Sequence, residues 1–292
     1  MSVPAAYLGV ILIWATTPLT IKWSGEGVGP FFGVATRMSV SVLLCALLLL
    51  ALRHVMPWHR AARRTYYITG IAMFVSMTAT YWGAQSIPSG LISVIFGTTP
   101  LLTSVMAHVW LGERSITPTR IGGIVLSVFG LALIFHSSFA VGSSAFLGGL
   151  AVLLASLGHS MSAVWVKRVD ADISALASTT GSLLIALPGF WLVWGTMDGS
   201  LPAHVPERAL YSILYLASLG SVAGFVLYYF LLKRISATKT ALITLVTPVL
   251  ALFLGHLLND EALAQTTWWG TAGVLAGLAL HQWGDRLAIF NR

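Results

Sequence analysis

Charge is what this sequence has least of. Only 9% of its 292 residues are Asp, Glu, Lys or Arg, against about 25% in soluble domains, so the chain cannot cover a water-facing surface. All nine of its carboxylates (Glu26, Glu113, Asp170, Asp172, Asp198, Glu207, Asp260, Glu261 and Asp285) fall between apolar runs or at their ends. No acidic group is therefore expected at the membrane centre, where it could carry a proton or balance a cation. The single cysteine, Cys45, sits inside an apolar run, which excludes an intrachain disulfide. There is no GxxxxGK[ST] phosphate loop, no HExxH and no His/Cys cluster, so neither ATP hydrolysis nor a metal cofactor is indicated. The one candidate nucleophile–base pair is His159 with Ser160, and adjacent residues on a helix do not face each other. The expectation is a protein that is not an enzyme and needs no cofactor.

What is present is apolar sequence, 57% of the chain. A helix needs roughly 20 such residues to cross the hydrocarbon. Ten segments qualify, at about 4–23, 31–52, 66–86, 89–111, 118–136, 145–167, 174–196, 208–232, 236–258 and 266–285. The runs are continuous rather than alternating, which excludes a β-barrel. The first lacks a basic leader and is too long for a cleaved signal, so it reads as a span. The fold class is thus an all-α membrane protein with ten transmembrane helices.

Basic residues give the orientation. Arg53, Arg60, Arg63, Arg64, Arg114, Arg120, Lys167, Arg168, Lys233, Arg234, Lys239, Arg286 and Arg292 all fall on one side if both termini share a compartment. The other side has Lys22 and Arg208, and Arg37 lies within a span. Both termini are therefore expected in the cytoplasm. The net charge of +7 is scattered through short loops, so it reads as a topology signal and no nucleic-acid partner is expected.

A shift of 148 residues lays the chain on itself. Tyr81 meets Tyr229, Ile95 meets Ile243, Thr99-Pro100 meets Thr247-Pro248, His108 meets His256 and Glu113 meets Glu261. The reading is a duplication of a five-span unit, residues 1–140 and 141–292. Five is odd, so the second copy enters the membrane from the opposite side, placing Glu113 at the cytoplasmic face and Glu261 at the external face. Inverted repeats of this kind characterise secondary transporters.

The run IPSGLISVIFGTTPLLTSVMAHVWLGERSITPTRIGG and its counterpart ISATKTALITLVTPVLALFLGHLLNDEAL carry a family resemblance. With Trp14 and Lys22 in the first span and Arg37 in the second, they make the chain similar to the drug/metabolite transporter superfamily. Its ten-helix EamA-type branch is the nearest, YddG-like amino-acid exporters in particular. The resemblance implies an inverted 5+5 arrangement around a central cavity. That cavity would be lined by spans 1, 3, 4, 6, 8 and 9, with spans 5 and 10 at the rear. It also implies a monomer in the bacterial cytoplasmic (inner) membrane, in contact with lipid. Such a protein exports small metabolites, amino acids (aromatic and other neutral ones) before others, by alternating access. Export of organic cations is the alternative.

Candidate residues follow from these segments. Trp14, Tyr81, Phe96, Trp165, Tyr228 and Tyr229 offer apolar bodies, most with a polar handle, and are expected to face the cavity with Thr17, Thr99, Thr244 and His159. Pro18, Pro100 and Pro248 lie inside spans, where proline removes a backbone hydrogen bond, and are expected to act as hinges. Arg37 is expected to snorkel, to pack, or to bind a substrate carboxylate. Glu113 and Glu261 are expected to cap the helices that follow them. The small-residue pairs Gly123–Ser127, Gly220–Gly224 and Gly273–Gly277 permit close helix contact.

Overall fold

A computed structural model describes residues 2–112, 117–235 and 243–290; Glu113 lies outside them. Every element among the described residues is helical. In chain order these are α1 (Val3–Ser24), α2 (Pro30–Ala51), α3 (Arg60–Gly83), α4 (Ser89–Phe96), α5 (Thr99–Leu111), α6 (Pro118–Val141), α7 (Ser143–Val169) and α8 (Ala175–Met197). There follow α9 (Glu207–Tyr215), a π-helical stretch (Leu216–Ala223), α10 (Gly224–Arg234), α11 (Ile243–Asn259) and α12 (Gln265–Phe290). Among the described residues, seven helical stretches are long and apolar enough to cross a membrane, with α4 and α5 together forming one of them and Glu207–Tyr228 another.

Local chemistry sets the boundaries. Ser2, His59, Thr117 and Ser174 each accept a hydrogen bond from a backbone N–H in the first turn of α1, α3, α6 and α8, satisfying donors that a helix start leaves orphaned. The basic stretch from Arg60 is already helical, so α3 begins six residues before the apolar run that marks it in the sequence.

The three hinge candidates take different forms. Pro100 does not lie in a helix interior. The chain breaks at Gly97-Thr98, and Pro100 stands in the first turn of α5, where its missing N–H is needed by nothing. Thr98 Oγ1 donates to the Ile95 carbonyl at 2.6 Å, closing the end of α4. Pro18 and Pro248 remain inside continuous helices, α1 and α11. A Cβ added to Gly97 would stand 3.4 Å from Pro248 Cγ, so the break and the second proline are neighbours.

Packing relies on small residues. A Cβ on Gly130 would meet the Gly270 carbonyl oxygen at 2.5 Å, and one on Gly123 would meet that of Gly277 at 2.5 Å. The small faces of α6 and α12 thus press backbone against backbone, and Ser127 Oγ donates to the Val274 carbonyl at 3.2 Å. The Gly123–Ser127 and Gly273–Gly277 pairs serve this internal contact. Gly220 and Gly224 do something else: they make room for the side chains of Arg37 and Trp14.

Candidate functional site

A cavity of about 480 Å³ runs among α1, α3, α4, α5, α7, the π stretch, α10 and α11. At one end it reaches the exposed residues Lys167 and Asp170, with Arg120 and Gln282 nearby. At the other it ends among Ile21, Ile92, Ser93 and Arg37, all buried.

Four rings from four helices form a chain along its wall. The Trp14 and Tyr228 centroids lie 5.0 Å apart, Tyr228 and His159 6.0 Å, and His159 and Phe96 6.4 Å. Thr17, Thr99 and Thr244 line the same space, as do Pro18 and Pro100. Thr99 is held against α7 by a 2.9 Å hydrogen bond between its hydroxyl and that of Ser156. Ser160 donates to the Thr99 and Ser156 carbonyls at 3.2 and 2.9 Å. These bonds engage the hydroxyl beside His159 in holding α5 to α7.

Three sequence candidates sit elsewhere. Trp165 is not in the wall; its ring packs 6.1 Å from that of Trp110, with the Arg168 guanidinium 5.0 Å away. Pro248 lies behind Thr247, which does reach the cavity. Tyr81 is fully buried and its hydroxyl accepts a 3.3 Å hydrogen bond from Arg37 Nη1 and a 3.4 Å one from Ser24 Oγ. It is a partner of the arginine rather than part of the wall. The side chain of Tyr229 lies outside the described residues.

Arg37 is the residue the sequence undervalued. It does not snorkel: it is 1% exposed. Nε donates to Ser221 Oγ at 3.0 Å, and the guanidinium borders the cavity. Ser221 belongs to the π-helical stretch, a form of turn found frequently at functional sites. The widened turn also leaves the Ala217 carbonyl open to a 3.2 Å bond from Ser41 Oγ. Periodicity predicts an α-helix here, and the sequence signals in the region are the solitary arginine in α2 and the Gly220–Gly224 pair.

Beyond Ile21 and Ile92, across the sealed end, lies a polar lock. Lys22 Nζ stands 3.2 Å from Glu261 Oε1 and donates to the Ile87 carbonyl at 3.1 Å. Glu261 Oε2 accepts from Ser89 N at 2.7 Å and from Ser89 Oγ at 2.8 Å. Glu261 therefore caps α4, across the bundle, and not the next helix in sequence. The position is favourable because a carboxylate at a helix start meets unpaired N–H groups and the positive end of the dipole. Asn259 joins the lock, donating to Glu261 Oε1 at 2.9 Å and accepting from Trp23 Nε1 at 3.0 Å.

The comparisons with known proteins agree with this architecture. The model of the EamA-like transporter family matches residues 3–136 and again 146–281. The chain is 26% identical over 277 residues to the uncharacterized transporter YoaV of Bacillus subtilis, covering 94% of each protein. It is 24% identical over 207 residues to a probable amino-acid metabolite efflux pump of Escherichia coli, covering 68% of this chain and 69% of that one. A solved crystal structure shares the fold with a TM-score of 0.66 at 19% identity, covering 98% of both chains. A membrane-embedded bundle with a cavity open at one end and locked at the other is thus the form taken here by a member of the EamA-like transporter family, to which this chain belongs.

Proposed function

We propose that the protein exports small zwitterionic metabolites, amino acids with aromatic and other neutral side chains before others, across the bacterial cytoplasmic membrane. The observation that carries this reading is the composition of the cavity wall. The ring chain Trp14–Tyr228–His159–Phe96 offers flat apolar surface, and Thr17, Thr99 and Thr244 can replace water around polar groups. The E. coli relative, a probable amino-acid metabolite efflux pump, supports the same class.

Cavity electrostatics separate this reading from export of organic cations. Rings suit a cation as well as an aromatic side chain. Among the described residues, however, the lining carries Arg37, Arg120 and Lys167 against Asp170 alone. Surplus positive charge in a low-dielectric space repels a permanent cation and tolerates a zwitterion.

In the proposed mechanism the chain has ten spans in two inverted halves, residues 1–140 and 141–292, with both termini cytoplasmic. The open end at Lys167 and Asp170 then faces the cytoplasm. Solute enters there and settles against the rings. The Lys22–Glu261–Ser89 lock must open to release it outside, while the cytoplasmic end closes. Pro18 and the Gly97–Pro100 break are the places where α1 and the α4–α5 pair bend during that exchange.

The test is efflux from proteoliposomes loaded with labelled phenylalanine, leucine or tetraphenylphosphonium. Saturable amino-acid efflux, competed by unlabelled amino acid and not by the organic cation, is expected. Efflux of the cation alone overturns the reading in favour of a cation exporter.

A further inference from the structure

Arg37 is a positive charge inside a membrane bundle, where ionised groups are costly to insert. Buried charges are ordinarily paired. Among the described residues its partners are neutral: the Ser221 and Tyr81 hydroxyls, at 3.0 and 3.3 Å, and the Tyr81 ring with its centroid 6.0 Å away. No carboxylate among the described residues pairs with Arg37, and no hydrogen bond engages its Nη2. The space beside Nη2 exists because residue 220 is glycine: a Cβ there would stand 3.3 Å from it. These features hold the guanidinium in place through Nε and Nη1 and leave one donor edge at the blind end of the cavity.

We propose that Arg37 is the anchor for a carboxylate on the transported solute, taking it through Nη2 and orienting the solute so that its apolar part lies along the ring chain. The inference rests on the transport reading above and adds the group that is recognised and the residue that recognises it. A carboxylate fits better than a phosphate monoester. One guanidinium with one open edge offsets a single negative charge, and the other cationic lining residues, Arg120 and Lys167, stand toward the mouth. Neutral hydroxyl partners suit a transporter, because a resident carboxylate would compete with the cargo. Bound solute would supply the missing counter-charge, so the loaded cavity is electrically easier to carry through a closed state than the empty one.

The experiment reads binding separately from transport. In a Cys45→Ala background, Thr17→Cys places a reporter thiol in the cavity wall, and protection of that thiol from alkylation is measured in detergent. The probes are phenylacetate, phenylacetamide and phenyl phosphate. Phenylacetate is expected to protect at a concentration roughly tenfold or more below phenylacetamide, the usual worth of a charge-assisted hydrogen bond. Arg37→Gln should remove that difference and leave protection by the amide unchanged, and Arg37→Lys should retain part of it. Gly220→Ala, which crowds Nη2 and keeps the charge, should narrow the gap several-fold; it decides the matter if Arg37→Gln does not fold. Equal protection by acid and amide, no protection by either, a gap that survives both Arg37→Gln and Gly220→Ala, or stronger protection by phenyl phosphate overturns the proposal. Labelled phenylalanine efflux is measured in parallel. An Arg37-dependent gap without phenylalanine efflux sinks the amino-acid reading alone, whereas efflux without the gap sinks the anchor alone.

Discussion

Lys22 and Glu261, 239 positions apart in the sequence, form an ion pair at 3.2 Å across the sealed end of the cavity. The Glu261 side chain is 8% exposed and that of Lys22 25%. The carboxylate also holds the first turn of α4 through Ser89. Three chain regions meet in this contact: α1, the start of α4 and the segment after α11. Parting them is the minimum movement that would open this end.

Glu261→Gln keeps a hydrogen-bond acceptor and deletes the charge. Breaking such a charge-assisted contact is worth about 1.5–3 kcal/mol, so the open-outward population should rise roughly tenfold or more. A cysteine at Ser93, buried just inside the sealed end, reports it. Its alkylation by an impermeant reagent added outside should accelerate by that factor. An unchanged rate would mean that the ion pair does not hold this end shut.

The ring chain should matter in proportion to position. Tyr228→Ala removes the ring that touches both Trp14 and His159. Loss of an aromatic contact and its buried area should raise KM for phenylalanine about tenfold, with a smaller effect for a short aliphatic amino acid. Trp165→Ala, whose ring packs on Trp110 away from the cavity, should leave KM within about twofold. Transport kinetics in proteoliposomes check both.

The α6–α12 seam predicts a stability effect without a specificity effect. Gly130→Val adds bulk where even a Cβ would lie 2.5 Å from the Gly270 carbonyl oxygen. Overpacking of this kind costs about 1–3 kcal/mol. The midpoint of thermal unfolding in detergent should fall by several degrees, while the ratio of KM values for phenylalanine and leucine stays the same.

Orientation is tested with single cysteines in a Cys45→Ala background. Asp260→Cys should react with impermeant maleimide on intact cells, and Arg114→Cys only after permeabilisation. Labelling of both positions from the same side would remove the inverted repeat and the direction of export with it.

The sequence shows its spans because lipid offers no partner for a bare backbone, so each crossing must be a long apolar helix. The caps at Ser2, Thr117 and Ser174 follow local rules and are readable in the same way. Partnerships across the bundle are not. Glu261 sits just before a helix start, and the local rule assigns it there; only the fold brings Ser89 within 2.7 Å. Pro100 and Pro248 coincide when the sequence is shifted by 148 residues, yet one begins a helix and the other stays within one. The difference lies in their neighbours, Gly97-Thr98 against Leu245-Val246. The same shift singles out Tyr81, which serves Arg37; pairing two tyrosines by register says nothing about which way either ring points. Trp14, His159 and Tyr228 converge on one wall beside Phe96 for a plainer reason. A bundle interior open to water is where large side chains with a polar atom are tolerated.

The π-helical stretch at Leu216–Ala223 also fixes a rotational phase. Each residue of an α-helix turns the chain by about 100°, so the wider turn sets the azimuth at which α10 leaves it and the compass bearing of Tyr228. Deleting one residue from the stretch would let it relax toward an ordinary helix, swing Tyr228 off the wall and pull Ser221 out of register with Arg37. Ring and guanidinium are thus indexed to each other by a single surplus residue in the backbone, and an insertion or deletion there would retune the site without altering any side chain that lines it.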